Sequence, residues 1–373
     1  MIGEKIKNLR ESEGLTQEEV AEKVGVSKEF ISMVESGKRN PSLEVLSKIA
    51  SIFSKEASYF MDTKRDDFAL ALRTAEINEK DKDEIRKFKD FCEDYYFLEK
   101  ATEEILPSLT PIYPDPPSSI LSDFGQTYRY AEKLALDERR RSSLGDEPIR
   151  DIFLLLETQG VRIVRMNIEE SSVDGAFIYN RDKGAFMLIN TSRSKGRQVF
   201  TAAHEYCHYL KDREKGYAIC QIITGGIEEH KKPIERIANL FAANFLMPEA
   251  SVSKLVSLYA KNRLEAEEVV YIKRYFGVSY QAMLYRLKDL RYLRRPKLLE
   301  LLEIDPANIE ESLFGFTEEG VKDPERLPER YCKLAVQAYT ERTISFEKLA
   351  ELLKVDLVEL KERLSKVGFI KYK

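Results

Sequence analysis

The sequence has no tryptophan, four cysteines and only three histidines in 373 residues. The cysteines lie far apart and form no Cys-x-x-Cys pair, so we expect free, buried thiols in a reduced compartment. No apolar run approaches the roughly 18 residues that cross a bilayer. Residues 1–6 begin a helical pattern and have no signal-peptide character. These absences predict a cytoplasmic protein without a membrane span. The cysteines are Cys92, Cys207, Cys220 and Cys332.

Charge and length narrow the class of protein. The chain is 43% hydrophobic and 33% charged, which is typical of a soluble globular protein, and it is long enough for two or three domains. Its net charge of −4 argues against wholesale coating of nucleic acid. A local docking surface for nucleic acid remains compatible with that charge.

Two of the three histidines form the motif His204-Glu205-x-x-His208 within a helix-favouring run. Residues four apart lie on one face of a helix, so both imidazoles can reach one ion. Neutral imidazoles suit zinc, and the glutamate between them can take a proton from water activated by the metal. The motif predicts a zinc hydrolase in which Glu205 is the general base.

A catalytic zinc site needs a third protein ligand. His230 lies in a polar, helix-breaking stretch and is expected at the surface. Glu235 follows Pro233 at the start of an apolar-faced helix whose alanines permit close packing on the histidine helix. We therefore expect Glu235 to complete a site of two histidines and one glutamate.

The two segments together resemble the ImmA/IrrE family of zinc metallopeptidases, over residues 120–290. The resemblance rests on Phe200-Thr201-x-Ala203-His204-Glu205-x-x-His208, on Glu235-x-x-Ala238-Asn239 and on the closing Leu246-Met247-Pro248. It implies that His204, His208 and Glu235 bind Zn2+ and that Glu205 is the general base. Asn239, one helical turn beyond Glu235, is expected to support a ligand.

An oxyanion donor cannot be assigned from these residues. The candidates by chemistry alone are Tyr179, Tyr206, Tyr209 and Tyr217. For each of them a structural tyrosine is the expectation. Cys207 lies inside the motif but off the ligand face, so we expect a buried thiol there.

Residues 1–61 have an all-helical pattern with clear helix ends. Thr16 can cap a second helix, with Glu19 completing a capping box, and Gly25 ends that helix. Ser27 and Ser42 can cap the next two helices. Two short helices joined by a tight glycine turn predict a helix-turn-helix, whose second helix enters the major groove of DNA.

This region resembles the lambda-repressor-like (XRE) DNA-binding family over about 60 residues. The resemblance rests on Thr16-Gln17-Glu18-Glu19-Val20-Ala21, Val26-Ser27, Ile31-Ser32, Glu35-Ser36-Gly37-Lys38-Arg39-Asn40-Pro41-Ser42 and Leu46. By matching positions, the residues expected near base edges are Lys28, Glu29, Ser32 and Met33. Those expected to hold phosphates are Gln17, Lys38, Arg39 and Asn40.

The charge of this region departs from that of a strong DNA binder. Residues 1–40 contain seven Lys and Arg against eight acidic residues, and nonspecific affinity scales with the phosphates neutralised. We expect weak binding by a monomer, and hence a homodimer on a palindromic operator or use of the fold as a protein-binding module. A helical domain that has lost DNA binding is the alternative.

The two regions are joined by a charged segment and a proline-rich one. Residues 81–105 predict an amphipathic connector helix. It could pack on another domain, pair with a second chain or complete an intramolecular core. Residues 107–119 contain five prolines, which disfavour an α-helix and the hydrogen bonding of a β-sheet, so an extended linker is expected there.

A small sheet is predicted just before the histidine helix. After a helix over residues 122–137, an Arg-rich turn at 138–141 and a helix that starts at Pro148, strands are expected at 161–166, 176–179 and 185–189. The last of these, residues 186–190, is a candidate edge on which an extended peptide could pair.

The C-terminal third is helical and its role is left open. Residues 271–290 and 331–369 have a helix-turn-helix rhythm, compatible with a winged-helix-like module or a small interaction or sensing domain. A basic cluster could touch nucleic acid, although a solvated helix face is the plainer interpretation. Its members are Arg286, Lys288, Arg291, Arg294, Arg295 and Lys297.

We therefore expect an α+β, mainly α protein: a five-helix lambda-repressor-like domain at 1–61, a helical connector and linker at 62–119, a zincin-like peptidase domain at 120–290 and a helical C-terminal domain at 291–373. The resemblances imply a transcriptional regulator that binds a double-stranded operator. They also imply a zinc endopeptidase that cleaves a repressor or antitoxin-type regulator in a stress, mobile-element or toxin–antitoxin circuit. The alternatives are a transcription factor whose peptidase-like domain is a sensing scaffold, and a regulator that cuts its own linker.

Overall fold

The computed structural model describes residues 2–13, 15–53, 60, 78–213, 217–220, 233–260, 263–317 and 327–366. It divides the chain into two compact units, Met1–Arg73 and Thr74–Lys373. The fold is mainly helical with one small sheet, which confirms the expected α+β, mainly α class. The four-domain division stays a prediction. Among the described residues, no helix combines the length and apolar character needed to span a membrane.

The first unit is built from short capped helices. They are α1 (Ile2–Ser12), α2 (Gln17–Val24), α3 (Lys28–Glu35) and α4 (Leu43–Ile52). Thr16 and Glu19 form the expected capping box, and Ser27 and Ser42 accept hydrogen bonds from the first turns of α3 and α4. Gly25 ends α2 at φ 79°, a left-handed conformation that suits glycine. The expected fifth helix stays a prediction, because residues 54–59 and 61 lie outside the described ranges.

Apolar residues spaced along these helices make the core of the first unit. Those fully or almost fully buried are Ile6, Val20, Ala21, Ile31, Val34, Leu46, Ile49 and Ala50. A three-residue turn, 25–27, separates α2 from α3. The predicted helix-turn-helix is thus present.

The second unit begins with a long helix and continues to the sheet. Its first helices are α5 (Glu79–Ala101), α6 (Ser118–Leu121), α7 (Phe124–Arg141) and α8 (Ile152–Thr158). The expected Arg-rich turn is wrong, because Glu138 forms i,i+3 contacts with Arg141 inside the last turn of α7. The expected start of α8 at Pro148 is also wrong. Asp151 caps the helix by accepting a hydrogen bond from Leu154 N.

In the part of the chain that the structure describes, four strands form a sheet in the order β1-β3-β2-β4. They are β1 (Val161–Met166), β2 (Gly175–Asn180), β3 (Gly184–Asn190) and β4 (Tyr217–Cys220). β3 pairs with β1 in parallel and with β2 antiparallel, and β2 also pairs antiparallel with β4. The predicted edge at residues 186–190 is therefore wrong, since β3 has a strand on each side and its backbone is used in both ladders.

Two helices with small residues form the centre of the second unit. α9 (Lys195–Lys211) packs against the sheet and against α10 (Pro233–Leu246). Ala202 and Ala203 on α9 and Ala238 and Ala242 on α10 are fully buried. Methyl side chains let the two helix backbones approach closely, which brings polar groups from both helices to one point.

The remaining described helices complete the unit. They are α11 (Glu249–Tyr259), α12 (Ala266–Phe276), α13 (Tyr280–Asp289), α14 (Arg295–Leu302), α15 (Pro306–Phe314), α16 (Glu329–Thr340), α17 (Phe346–Leu353) and α18 (Leu357–Lys366). α16 packs against α5, where Tyr331 stacks on Phe91 at 4.5 Å between ring centroids. In the described residues the connector helix is therefore part of an intramolecular core, one of the interpretations left open by its sequence.

Candidate metal centre

The two histidines of the motif and the glutamate of the next helix converge. His204 and His208, one turn apart on α9, bring their Nε2 atoms to 3.3 Å from each other. Glu235, in the first turn of α10, lies with a carboxylate oxygen 3.2 Å from His204 Nε2 and the other 3.8 Å from His208 Nε2. All three ligand atoms lie within 4.8 Å of one another. The structure thus brings together the three residues predicted to bind zinc.

The outer nitrogen of each imidazole is also held. His204 Nδ1 lies 2.8 Å from Asn239 Oδ1, one turn along α10 from Glu235. His208 Nδ1 lies 3.0 Å from Asp212 Oδ2, just beyond the end of α9. A partner on Nδ1 fixes the orientation of the ring and leaves Nε2 directed inward, as metal-binding histidines require.

Asp212 is a functional residue that the sequence analysis missed. It could have been found from its position four residues after His208, because this spacing places the Asp212 carboxylate one turn further along the same face. The i,i+4 contact extends the ligand motif by one turn.

Proton affinities at this centre reflect the mutual proximity of the groups. Burial alone lowers the pKa of His208, but hydrogen bonds to Asp212 and Glu235 raise it to about 10. For Glu235, burial raises the pKa, and the hydrogen bonds from the two histidines outweigh it and hold the pKa well below its usual range. The centre therefore favours a positive charge between its three ligands.

The donor set fits zinc. Two imidazole nitrogens and one carboxylate oxygen are the ligands of a catalytic zinc with one position left for water. The histidines are almost fully buried, whereas the Glu235 side chain is 26% exposed. This exposure leaves solvent access on the side of the carboxylate.

Glu205 lies beside the centre and is completely buried. It follows His204 on α9, so its side chain leaves the helix about 100° round from the histidine. On the sheet side, the start of β2 at Gly175 lies against its carboxylate. The candidate base is thus enclosed between α9 and the sheet.

The tyrosines proposed by chemistry alone are mostly structural. Tyr206 donates to Glu138 Oε1 and Tyr209 donates to the carbonyl oxygen of Gln159, at 3.2 Å. Both rings are fully buried, and Tyr179 is half-buried on β2. The side chain of Tyr217 lies outside the description, as does His230. Burial raises the pKa of the Cys207 thiol, consistent with the buried, inert cysteine that was expected.

Apart from Gln17 on α2, the residues predicted to contact DNA lie on α3 and the turn that follows it. Exposed side chains there are Lys28, Glu29, Ser32, Met33, Lys38, Arg39 and Asn40. The guanidinium of Arg39 lies 4.8 Å from the centre of the Phe30 ring. Gln17 is half-buried and donates its amide to Glu35 at 2.8 Å, so the amide already has a protein partner. The predicted base-edge and phosphate roles stay predictions.

One member of the predicted basic cluster is not on the surface. Arg286 is buried and donates to the carbonyl oxygen of Met247 and to the hydroxyl of Tyr128. Lys297 pairs with Glu265 at 2.6 Å. Arg286 thus belongs neither to a solvated helix face nor to a surface for nucleic acid, whereas Arg291, Arg294 and Arg295 are exposed. For these exposed members both interpretations stay predictions.

Comparisons with known proteins match both regions. A family model described as an IrrE N-terminal-like domain matches residues 156–288, and one described as helix-turn-helix matches residues 6–60. An uncharacterized HTH-type transcriptional regulator of Archaeoglobus fulgidus is 50% identical over 50 residues, which are 13% of this chain and 71% of that protein. The HTH-type transcriptional regulator SinR of Bacillus subtilis is 29% identical over 101 residues, 24% of this chain and 91% of that protein.

A solved structure of Bacillus thuringiensis PlcR in complex with the peptide PapR7 and DNA covers 99% of this chain and 93% of that chain at 15% identity. Its TM-score is 0.18, too low for any arrangement to carry over. The relatives and the two family models agree with the resemblances of both regions. The chain therefore belongs to the helix-turn-helix transcriptional regulators and carries, after its DNA-binding unit, an IrrE N-terminal-like domain.

Proposed function

We propose that this regulator is a zinc endopeptidase that cleaves another regulatory protein. The observation that carries the proposal is the convergence of His204, His208 and Glu235 at distances of 3.2–3.8 Å. Only a shared cation or proton makes this approach of two imidazoles and a carboxylate favourable. Zinc, when bound, supplies a Lewis acid that polarises the scissile carbonyl and makes water a nucleophile near neutral pH.

The chain's own residues have distinct parts in this proposal. His204, His208 and Glu235 hold the metal, while Asn239 and Asp212 keep the two rings in place. Glu205 takes the proton of the attacking water and then gives one to the leaving amine. Its complete burial beside His204 shields the proton from bulk solvent between the two transfers.

The substrate class follows from the unit that accompanies the peptidase. A DNA-binding arm brings the enzyme to operators, where repressors and antitoxin-type regulators with their own helix-turn-helix domains are found. We propose such a protein as the substrate, in the cytoplasm, and a homodimer of this chain on a palindromic operator. The near balance of charge in residues 1–40 supports the dimer, because one unit alone neutralises few phosphates.

The self-cleaving alternative has less support. In its cleavage region, the proline-rich segment, Tyr113 N donates to Leu210 O in the last turn of α9 at 2.9 Å. Thr110 Oγ1 accepts from Arg213 Nη1, just beyond the end of α9, at 2.7 Å. These bonds fix the segment to the C-terminal end of α9 and would have to break before its main chain could enter the metal centre.

Zinc content and cleavage together test the proposal. We expect wild-type protein to hold stoichiometric zinc and to cut a helix-turn-helix regulator encoded beside its gene. His204→Ala should lose both properties, whereas Glu205→Gln should keep the metal and lose cleavage. Glu249→Gln is the matched control, because this carboxylate is exposed at the start of α11 and should change neither.

Two outcomes would redirect the proposal. Wild-type protein without stoichiometric metal would leave the sensing scaffold as the better function. Two fragments of the chain itself, formed with wild type and not with Glu205→Gln, would restore the self-cleaving alternative.

A further inference from the structure

The first residue of β2 lies against the helix that carries the candidate base. A Cβ atom added to Gly175 would lie 2.6 Å from Thr201 Cγ2, 3.1 Å from Glu205 Oε1 and 3.1 Å from Leu188 O. The first distance is below any normal contact, and the carbonyl belongs to the neighbouring strand β3. There is consequently no room for a side chain at this position.

Thr201 and Glu205 are neighbours on one strip of α9. Residues four apart lie one turn above each other, and Arg197 is the next member of the strip. The side chain of Thr201 is β-branched and therefore stiff at χ1. A change of the Thr201 rotamer would leave the two contacts at 3.1 Å, so the carboxylate of Glu205 or the strand itself would still have to move.

The residue before Gly175 fixes the strand to the same strip. Asp174 is almost fully buried and accepts hydrogen bonds from Arg193 Nε at 2.7 Å and from Arg197 Nε and Nη2 at 2.9 and 2.8 Å. Its carbonyl oxygen accepts from Asn190 N at 3.0 Å, which ties the same point to β3. Charge-assisted, bidentate hydrogen bonds of this kind stabilise the contact and also fix the relative orientation of the two side chains.

We propose that Asp174 and Gly175 are positioning residues for the carboxylate of Glu205. Asp174 fixes where β2 begins on α9, and the bare Cα of Gly175 forms the wall on which the carboxylate rests. This inference rests on the proposed function, in which Glu205 is the base. None of the three atoms nearest to a Cβ at Gly175 belongs to a metal ligand, so we expect the pair to act on the base and to leave the metal ligands in place.

A double variant separates the effect on Glu205 from a simple steric clash. Thr201→Ser removes the Cγ2 atom at 2.6 Å and keeps the hydroxyl, so Gly175→Ala in this background meets chiefly Glu205 Oε1 and Leu188 O. Thr201→Ser alone is the matched control. For Asp174→Asn, the control is Glu170→Gln in the same loop, whose side chain is 89% exposed.

We expect crystal structures of the zinc-loaded double variant to show the Glu205 carboxylate displaced while His204, His208 and Glu235 keep their positions. Zinc content should equal that of wild type. With the regulator cut by the wild type as substrate, kcat should fall by less than the roughly 100-fold loss that a misplacement of about 1 Å causes. The reason is that contacts of 3.1 Å require the neighbouring atoms to shift by only a few tenths of an ångström. KM should be unchanged, because the lost interaction acts on the base and not on substrate binding. Asp174→Asn should lower kcat in the same way, and both controls should match wild type.

The inference fails if the carboxylate stays at its wild-type position in the double variant, or if its kcat equals that of Thr201→Ser. It also fails if metal is lost in parallel with activity, since that result points to general damage. Absence of cleavage by zinc-loaded wild type would end the proposed function alone. The crystal structures of variant and wild type would still test whether Asp174 and Gly175 position Glu205. If the double variant does not fold, the structure of Asp174→Asn provides this test.

Discussion

At the scale of single residues, the side chains that contact Nδ1 of the two histidines allow metal affinity to be tested separately from fold stability. Asn239 offers its amide oxygen to His204 at 2.8 Å from a helix that already supplies Glu235. We predict that Asn239→Ala weakens zinc affinity by about 10–100-fold, because the ring loses the partner that orients it. Competition with a chromophoric chelator measures the change.

Asn244 provides the matched control for that variant. It lies on the same helix, is also buried and donates to Leu240 O at 2.8 Å, away from the centre. Asn244→Ala should lower the unfolding temperature without weakening zinc binding. Equal losses of affinity in both variants would mean that packing of α10, and not the contact to His204, controls the metal.

A second residue-scale prediction concerns pH. In the zinc-free protein, burial opposes a charge on His208, but the contacts with Asp212 and Glu235 raise its pKa to about 10 from the ordinary 6.5. A raised pKa adds stability that is fully present below about pH 6.5 and is lost as the pH rises to about 10. We expect the free energy of unfolding of zinc-free wild type to fall over this range more steeply than that of His208→Asn, as measured by denaturant unfolding. Parallel curves would contradict the prediction.

Residue spacing explains which parts of the site were predictable. The i,i+4 histidines and the glutamate between them need only helical geometry, and Glu235 needs one further helix that packs against the first. Gly175 is different, because its contact with Glu205 spans thirty positions and depends on how the sheet sits on α9. No local pattern carries that information.

At the scale of elements, local chemistry determined helix ends and tertiary contacts determined the sheet order. Thr16, Ser27 and Ser42 cap the helices that their types predicted. The antiparallel hairpin of β2 and β3 follows from its short turn. The parallel pairing of β3 with β1 cannot be predicted in this way. A parallel neighbour is reached by a crossover connection, and no local turn indicates which strand it pairs with.

The turn after α3 carries an element-scale prediction about DNA. Lys38 is exposed there, and the resemblance places it at a phosphate. Loss of one phosphate contact lowers the slope of log affinity against log salt by about 0.9. We expect this change for Lys38→Gln on mixed-sequence duplex DNA, measured by fluorescence anisotropy at several salt concentrations.

Lys48 is the control for that experiment. It is an exposed lysine of the same unit, on α4, and pairs with Glu44 at 2.9 Å. Lys48→Gln should leave the salt slope unchanged. An equal decrease in both variants would indicate that only the net charge of the unit matters and that the turn has no special place on DNA.

At the scale of the whole molecule, a buried ion cluster ties the C-terminal helices to the rest of the second unit. Glu99 on α5 accepts from Arg162 Nε on β1 at 3.0 Å and also from Arg330 on α16. Glu99 and Arg162 are almost completely buried. The sequence could not predict how the C-terminal region is attached, because the two partners of Glu99 are 63 and 231 positions away from it.

We predict that removing the charge of Glu99 from this cluster destabilises the second unit. Glu99→Gln leaves Arg162 buried without its counter-charge and should cost about 3–5 kcal/mol of unfolding free energy. Glu104→Gln is the matched control, since its pair with Lys333 is exposed to solvent and should contribute far less to the free energy of unfolding. Denaturant unfolding of the zinc-loaded protein, followed by circular dichroism, measures both. If Glu99→Gln costs no more than Glu104→Gln, the C-terminal helices are held by the packing of Tyr331 on Phe91 and not by the buried charge.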